Sequence, residues 1–241
     1  KTIEEKRRHG LERLASGFRT FSHFGFDEGV AGHITFRDPE FEHHFWVNPF
    51  GMHFGQICVS DLVLVDRNGE VVIGDRPVNT AAFAIHSRLH EARPDVNAAA
   101  HSHSMYGKSF SSMGRKLEPI TQDSCAFFDD HVLFDDFTGV VLETDEGDRI
   151  ANALGDKRAA ILKNHGLLTT GETVDAAVWG FLSMDRCCQS QMIAESVGQM
   201  ERIPDETAAM TKEQVGSELG MWVMYQPIYD LMLEKDDSFL N

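Results

Sequence analysis

Hydrophobic residues recur along the chain with the periods of both helices and strands. Apolar residues at helical spacing predict an amphipathic helix over 3–24, and further helices are predicted at 80–92, 105–113, 146–154, 174–197 and 211–233. Short apolar runs between turn residues predict strands at 34–36, 44–47, 62–65, 71–73, 96–101, 159–162 and 167–170. The segment 123–137, rich in aromatic and acidic residues, is predicted to be a long loop.

This mixture of helices and strands, without an internal repeat or a low-complexity linker, predicts one α/β domain over 1–241. The segment from about residue 199 onwards is expected to form a C-terminal helical extension of that domain.

The formal charge of −16, from 38 acidic and 22 basic residues, disfavours non-specific binding to nucleic acid or to an anionic membrane. No signal-like or transmembrane run is visible in the sequence. The four cysteines have no CxxC spacing, which is typical of reduced thiols in a cytoplasmic protein.

A pair of histidines follows the apolar run that ends at Ala100. Side chains at positions i and i+2 of a strand project to the same side, so His101 and His103 can reach one metal ion. The alternative is that a chain with 12 histidines contains such a pair by chance.

His165 strengthens the metal hypothesis, because it stands between two predicted strands and is followed by Gly166. Three neutral imidazoles with open coordination positions are typical of a catalytic site for Zn²⁺, Mn²⁺ or Fe²⁺. The competing interpretation is that His165 caps a turn by hydrogen bonding and that the pair lies on the surface.

Five stretches of the chain together resemble the class II aldolase and adducin family, whose type member is fuculose-phosphate aldolase. They are 31–35 (AGHIT), 48–52 (NPFGM), 92–96 (ARPDV), 101–104 (HSHS) and 164–168 (NHGLL). The resemblance implies a three-layer α/β/α sandwich around a mostly antiparallel central sheet. It also implies that His101, His103 and His165 bind one divalent transition metal per subunit. A homotetramer with the active site at the subunit interface is implied as well.

The departures from the family pattern point away from a sugar-phosphate substrate. Ala82 stands where the family aldolases carry their acid/base glutamate, and an alanine cannot transfer a proton. His33, Phe50 and Ala81 replace residues that bind phosphate in those aldolases, which favours an apolar or aromatic ligand.

Several residues are therefore predicted to form the rest of the site. The predicted substrate-binding residues are Gly32, His33, Phe50, Ala82 and Tyr106. His86, about one helical turn after Ala82, is the candidate acid/base, although a lone helix histidine can equally be a packing residue.

The leading functional hypothesis is a metal-dependent lyase, of decarboxylase or aldolase type, that cleaves a carbon–carbon bond next to a carbonyl or carboxylate. Its substrate would be a non-phosphorylated small molecule, either aromatic or apolar. The alternative is a non-haem Fe(II) oxygenase that shortens the side chain of an aromatic substrate. A third reading is a non-catalytic adducin-like module, although adducin heads lose the metal histidines that this chain keeps.

Overall fold

The computed structural model describes residues 1–140 and 144–241, with the side chains of residues 81 and 82 left out. The described helices are α1 (Ile3–Phe24), α2 (Thr80–Ala92), α3 (Met105–Ser111), α4 (Thr144–Leu154), α5 (Val174–Val197), α6 (Asp205–Val215) and α7 (Glu218–Lys235). The described strands are β1 (His33–Arg37), β2 (Phe45–Val47), β3 (Val63–Val65), β4 (Val71–Ile73), β5 (Ala98–Ser102), β6 (His131–Phe134), β7 (Ala159–Leu162) and β8 (Gly166–Gly171).

These strands form one eight-stranded sheet in the order β4-β3-β2-β1-β5-β8-β7-β6. The pair β6–β7 is parallel, and the other neighbouring pairs are antiparallel. The α/β class is therefore confirmed. The expected mostly antiparallel sheet is corrected to a mixed sheet, because the edge strand β6 pairs with β7 in the parallel direction.

Helices cover both faces of the sheet, because alternate residues of each strand point to opposite sides. Ala98 and Ala100 of β5 belong to the main apolar core, which includes buried residues of α1, α5 and α7. Ala99 points the other way, into a second core formed with residues of α2 and α4. The sheet is thus the middle layer between two layers of helices.

The sequence pattern predicted most helices and strands at their observed positions. Helix α1, for example, begins at a capping box between Thr2 and Glu5 and ends at Gly25 in the left-handed conformation. Strand β6 was missed, because it lies within the segment that was predicted to be a loop.

The predicted helix 211–233 was also wrong, because the structure has two helices there, α6 and α7. Gly216 ends α6, and a side chain at this position would lie only 2.8 Å from the carbonyl oxygen of Ala126. Ser217 then caps α7 by accepting a hydrogen bond from the backbone N–H of Gly220. Within the described part of the chain, none of the helices is both long and apolar enough to span a lipid bilayer.

Helix α2 is held close to the sheet by a tight crossing with α4. A Cβ atom on Gly147 of α4 would lie 2.0 Å from the backbone oxygen of Ala84 in α2, so only glycine permits this approach. The crossing matters for the site, because α2 carries His86 and His90 against strand β1.

We expect Gly147→Ala to destabilise the fold by about 1–3 kcal/mol, because the added methyl group overpacks this crossing. Urea unfolding followed by circular dichroism measures the change. Gly180→Ala is the matched control in another helix, because its Cβ would meet Met221 Sδ at 3.6 Å and Thr169 Cβ at 3.8 Å, which are ordinary contacts. Equal stabilities of the two variants would contradict the prediction.

Candidate metal centre

The three histidines predicted as metal ligands come together at one end of the sheet. His101, His103 and His165 each offer a ring nitrogen, and these atoms all lie within 4.8 Å of one another. The ring centroids are 5.3 Å apart for His101 and His103, 4.6 Å for His101 and His165, and 4.9 Å for His103 and His165. Three nitrogens at these separations can coordinate a single ion.

These side chains lie in or next to the neighbouring strands β5 and β8. His101 is the fourth residue of β5, and His103 follows the end of that strand. His165 lies in the tight turn from β7 to β8, where Asn164 has a positive φ of 60°. Asparagine tolerates this left-handed conformation better than most residues, which explains its place in the turn.

Hydrogen bonding and burial prepare the imidazoles for a metal. The Nδ1–H of His101 donates to the carbonyl oxygen of Leu167 at 2.7 Å, which leaves Nε2 with a free lone pair. Burial lowers the pKa of His101 well below its usual value, and the nearby His165 lowers it further. Burial, with a smaller effect from His103, lowers the pKa of His165 to about 4. Both rings are therefore neutral at pH 7 and able to bind a cation.

The segment after His103 is tied to helix α5 by a buried carboxylate. The backbone N–H of Gly107 in α3 donates to Asp185 Oδ1 at 2.9 Å. Burial raises the pKa of Asp185, and this hydrogen bond opposes that shift. The contact fixes the start of α3 and with it the turn that presents His103.

Gly32 allows strand β1 to approach the metal centre. Its φ is +99°, and a Cβ atom there would lie 2.9 Å from the carbonyl oxygen of His101 and 3.1 Å from Ser102 Cα. Only glycine satisfies both the conformation and the space. As a result, His33 of β1 lies directly opposite His101 of β5 in the antiparallel register.

The metal centre opens into a cavity of about 530 Å³. Its apolar walls come from Val30, Ile85, Phe137 and Val140, and its polar lining includes Lys108 and Asn164. Lys108 is paired with Glu28 at 2.5 Å, so its charge is largely balanced. A cavity of this size with a few polar groups at one end is typical of a small-molecule site.

The other predicted site residues fall into three groups. Gly32 and His33 line the cavity together with the three metal histidines. Phe50 is exposed and Tyr106 is half-buried against the main core, and neither belongs to the described lining. Their role in substrate binding stays a prediction. Ala81 and Ala82 lie outside the residues whose side chains are described.

His86, the predicted acid/base, is buried behind His33 and does not itself line the cavity. The two rings are in contact, with centroids 4.4 Å apart. His86 Nδ1 lies 2.7 Å from Thr35 Oγ1, and the same oxygen lies 2.9 Å from His90 Nε2. The histidine therefore belongs to a buried polar row that the sequence analysis did not identify.

Most of the apolar lining of the cavity was not predicted from the sequence. Phe137 and Val140 follow β6, the strand that was not predicted, and Ile85 lies on α2 next to His86. The helical period of α2 indicated which residues are buried, but it could not show that Ile85 borders a cavity rather than a packed core.

The donor set fits a divalent transition metal. All three ligands offer neutral ring nitrogens, which suit zinc, manganese and ferrous iron, and the cavity leaves space for further ligands. Among the described residues, three histidines and no fourth side chain form the group, which is the ligand number typical of open catalytic sites.

Comparison with known proteins places this chain in a family. The family model described as Class II Aldolase and Adducin N-terminal domain matches residues 12–192. Decarboxylase NovR of Streptomyces niveus is 48% identical over 237 residues, covering 98% of this chain and 88% of that protein. A protein of Streptomyces roseochromogenus subsp. oscitans, named 4-hydroxy-3-prenylphenylpyruvate oxygenase/4-hydroxy-3-prenylbenzoate synthase, is also 48% identical, covering 98% of this chain and 86% of that protein.

A solved structure, L-fuculose 1-phosphate aldolase from Glaciozyma antarctica PI12, superposes with a TM-score of 0.91 at 45% identity. The superposition covers 97% of this chain and 92% of the aldolase. The eight-stranded sheet and its helical layers are thus shared with a class II aldolase structure.

Loss of a residue that only supports a metal ligand typically weakens metal binding by roughly 10- to 100-fold. We expect His101→Ala to weaken zinc binding by more than this, because it removes a predicted ligand. Competition with a chromophoric chelator measures the affinity. His43→Ala replaces an exposed histidine and serves as the control. Unchanged zinc affinity in His101→Ala would exclude His101 as a ligand.

We expect Gly32→Ala to lower zinc affinity by about 10-fold or more, because the methyl group pushes β1 away from the backbone that carries His101. Gly29→Ala is the control, because Gly29 also has a positive φ, +62°, but no heavy atom lies within 4 Å of its Cβ position. Equal losses in both variants would assign the effect to backbone strain instead of the clash.

Proposed function

Because this chain belongs to the class II aldolase and adducin family, we propose that it is a metal-dependent lyase acting on a non-phosphorylated, aromatic or apolar substrate. The reaction is cleavage of a carbon–carbon bond next to a carbonyl or carboxylate group, of decarboxylase or aldolase type. His101, His103 and His165 hold one divalent metal, which is Zn²⁺, Mn²⁺ or Fe²⁺.

The observation that carries the proposal is the histidine triad at the polar end of a cavity with apolar walls. The polar end suits the carboxylate or carbonyl oxygens of a substrate, and Val30, Ile85, Phe137 and Val140 suit a hydrocarbon or aromatic body. A phosphate group would instead require several hydrogen-bond donors, such as an arginine, and the described lining contains one cation, Lys108, already paired with Glu28.

A divalent metal held by His101, His103 and His165 would supply Lewis-acid stabilisation of the negative charge that develops when the bond breaks, and ferrous iron would also supply reactivity with dioxygen. The protein orients the substrate between the triad and the apolar walls. Its position 82 is an alanine, so the proton abstraction performed by the family glutamate is not available there. Loss of carbon dioxide fits this difference, because it generates the carbanion without removing a proton.

The names of the two Streptomyces relatives support a small set of reactions, and one of the two names supports an aromatic substrate. One is named a decarboxylase, and the other is named an oxygenase of a prenylated hydroxyphenylpyruvate. Both are equally similar to this chain, so similarity alone does not choose between the two reactions.

The second candidate function is therefore a non-haem Fe(II) oxygenase that shortens the side chain of an aromatic substrate. A specific observation favours it: a relative that is 48% identical to this chain is named an oxygenase of an aromatic 2-oxo acid, and the cavity beside the three histidines has room for both a substrate and dioxygen.

We further propose that the chain forms a homotetramer whose subunit interface lies beside the cavity. Two lining residues, Phe137 and Val140, are 48% and 77% exposed in the isolated chain, and exposed apolar side chains grouped beside a cavity are typical of an interaction surface.

The test is turnover by protein purified without chelator and reconstituted separately with Zn²⁺, Mn²⁺ and Fe²⁺. The anaerobic substrates are benzoylacetate, a 3-oxo acid that leaves an enolate when it loses carbon dioxide, and 4-hydroxy-2-oxo-4-phenylbutanoate, which gives benzaldehyde and the enolate of pyruvate by retro-aldol cleavage. The substrates tested with dioxygen are 4-hydroxyphenylpyruvate and mandelate. We expect the metal-loaded enzyme to release carbon dioxide or an aldehyde under anaerobic conditions, and His101→Ala to lose this activity.

If product forms only with both iron and dioxygen, and one molecule of dioxygen is consumed per turnover, the protein is an oxygenase and the lyase proposal is wrong. If none of the metal forms converts any of these carboxylates, with or without dioxygen, both candidate functions are wrong.

A further inference from the structure

One charged side chain lies in the wall of the cavity beside the metal centre. Among the lining residues that the structure describes, Lys108 is the one lysine, and they include no arginine, aspartate or glutamate. Burial lowers the pKa of each histidine in the lining, namely His33, His101, His103 and His165. The described wall therefore presents a single positive charge next to neutral imidazoles and apolar side chains.

The packing of α3 holds Lys108 in this wall. Gly107 and Ser111 are buried, and a Cβ on Gly107 would lie 2.8 Å from Leu167 Cγ, so this side of α3 packs against β8. Lys108 and Ser112 lie one helical turn apart on a different side of the helix, and both line the cavity. The place of Lys108 in the lining thus follows from the packed side of its helix.

An ion pair connects Lys108 to the turn on the other side of the wall. Its Nζ lies 2.5 Å from Glu28 Oε2. Glu28 stands in the turn between α1 and β1, where its carbonyl oxygen accepts from the backbone N–H of Ala31, and residues 30–32 of this turn also line the cavity. The two side chains are 34% and 45% exposed, so water can solvate either of them when the pair separates.

Both charges act on the histidine triad. Burial lowers the pKa of His103, the positive charge of Lys108 lowers it further, and the negative charge of Glu28 opposes these two effects. Charges at partly exposed positions act in this way only over short distances, because water and salt screen them. Lys108 therefore lies near the end of the cavity that holds the triad.

A single lysine suits a ligand with a single negative charge. A monocarboxylate can replace the carboxylate of Glu28 and make the same charge-assisted hydrogen bond, so the number of charges around Lys108 does not change. An uncharged ligand cannot make this exchange, and a phosphate dianion would leave one of its charges without a partner in the described lining.

We propose that Lys108 binds the carboxylate group of the ligand in place of Glu28. This exchange selects monocarboxylates with an aromatic or apolar body over uncharged molecules of the same shape. The inference rests on the proposed function and deepens it, because it assigns recognition of the substrate carboxylate to a particular side chain. Lys108 is then a specificity-determining residue, and Glu28 competes with the ligand for it.

The test compares two ligands of the zinc-loaded protein by calorimetry. 3-Phenylpropanoate and 3-phenylpropanamide have the same body, but only the first is charged. The metal contributes to the ratio of their affinities in every variant, so a change in this ratio reports on the substituted side chain. We expect Lys108→Gln to lower the ratio of acid to amide affinity by about fivefold to tenfold, because a charge-assisted hydrogen bond to a partly exposed lysine is lost.

Glu28→Gln should act in the opposite direction. We expect it to tighten binding of the acid by about twofold to fivefold, because the competing carboxylate is gone, and to leave the affinity of the amide unchanged. An ion pair that only held the turn against α3 would instead make both variants lose affinity for both ligands. Such parallel losses would overturn the proposal.

Lys163→Gln is the matched control for the general effect of removing a positive charge. Lys163 is 35% exposed, is paired with Asp135, and precedes the lining residue Asn164, but it is not itself in the described lining. We expect the ratio of affinities to change by less than about twofold in this variant, because salt screens a charge that does not contact the ligand. A fall as large as that in Lys108→Gln would assign the effect to net charge and overturn the proposal.

Two further outcomes separate this inference from the proposed function. An unchanged ratio in Lys108→Gln, with the acid still bound more tightly than the amide, would overturn the inference and leave the proposed function intact. If neither ligand binds to the wild-type protein, the substrate class of the proposed function is wrong, and the inference about Lys108 is wrong with it.

Discussion

The antiparallel register of β1, β5 and β8 is the constraint on which the site depends. It places His33 opposite His101 and brings Leu167, on the other side, within hydrogen-bonding distance of the His101 ring. A shift of one residue would turn His101 to the opposite face of the sheet, into the main apolar core. The glycines at 32 and 166 permit this register, because a Cβ at either position would come within about 3 Å of the backbone of His101 or Ser102.

Burying several imidazoles together has a chemical consequence. A charged imidazolium is poorly solvated in this environment, and neighbouring rings would repel one another, so each histidine is held neutral. A neutral imidazole carries its one proton on either Nδ1 or Nε2. Backbone carbonyl oxygens hold this proton on Nδ1 in two of the rings, because Leu167 accepts from His101 and Val96 accepts from His90. A backbone carbonyl oxygen therefore sets the tautomer both of His101 and of His90 in the polar row behind it.

The sequence predicted which three histidines come together, because the pattern that carries them is local. A pair at i and i+2 in a strand and a histidine at a strand terminus are visible in the linear pattern, and the structure brings all three together. The sheet was predicted strand by strand except for β6. Its four residues are flanked by acidic and aromatic side chains, and its stability comes from parallel pairing with β7, which is remote in sequence.

The polar row was not predictable for a similar reason. Thr35, His86 and His90 lie on a strand and a helix separated by more than forty residues, and each alone has the appearance of an ordinary buried residue. Only the packing of α2 on β1, which the close approach of Gly147 to Ala84 supports, makes them a continuous chain. His86 was singled out for its distance from Ala82 along the helix. The structure instead places it behind the cavity wall, where its ring contacts that of His33 but does not line the cavity.

The charge of the site selects the substrate more strongly than the charge of the whole protein. Three neutral histidines leave the charge of a divalent ion uncompensated, whereas the chain as a whole carries a formal charge of −16. Long-range attraction of an anion would therefore be weak, because salt screens it over about 10 Å, and under the proposed function binding would depend on direct contact with the ion and on burial of the apolar body. Since the same contacts would serve the proposed decarboxylation and the proposed oxidative cleavage, the choice between these reactions would depend on the metal at the triad and on access of dioxygen to the cavity.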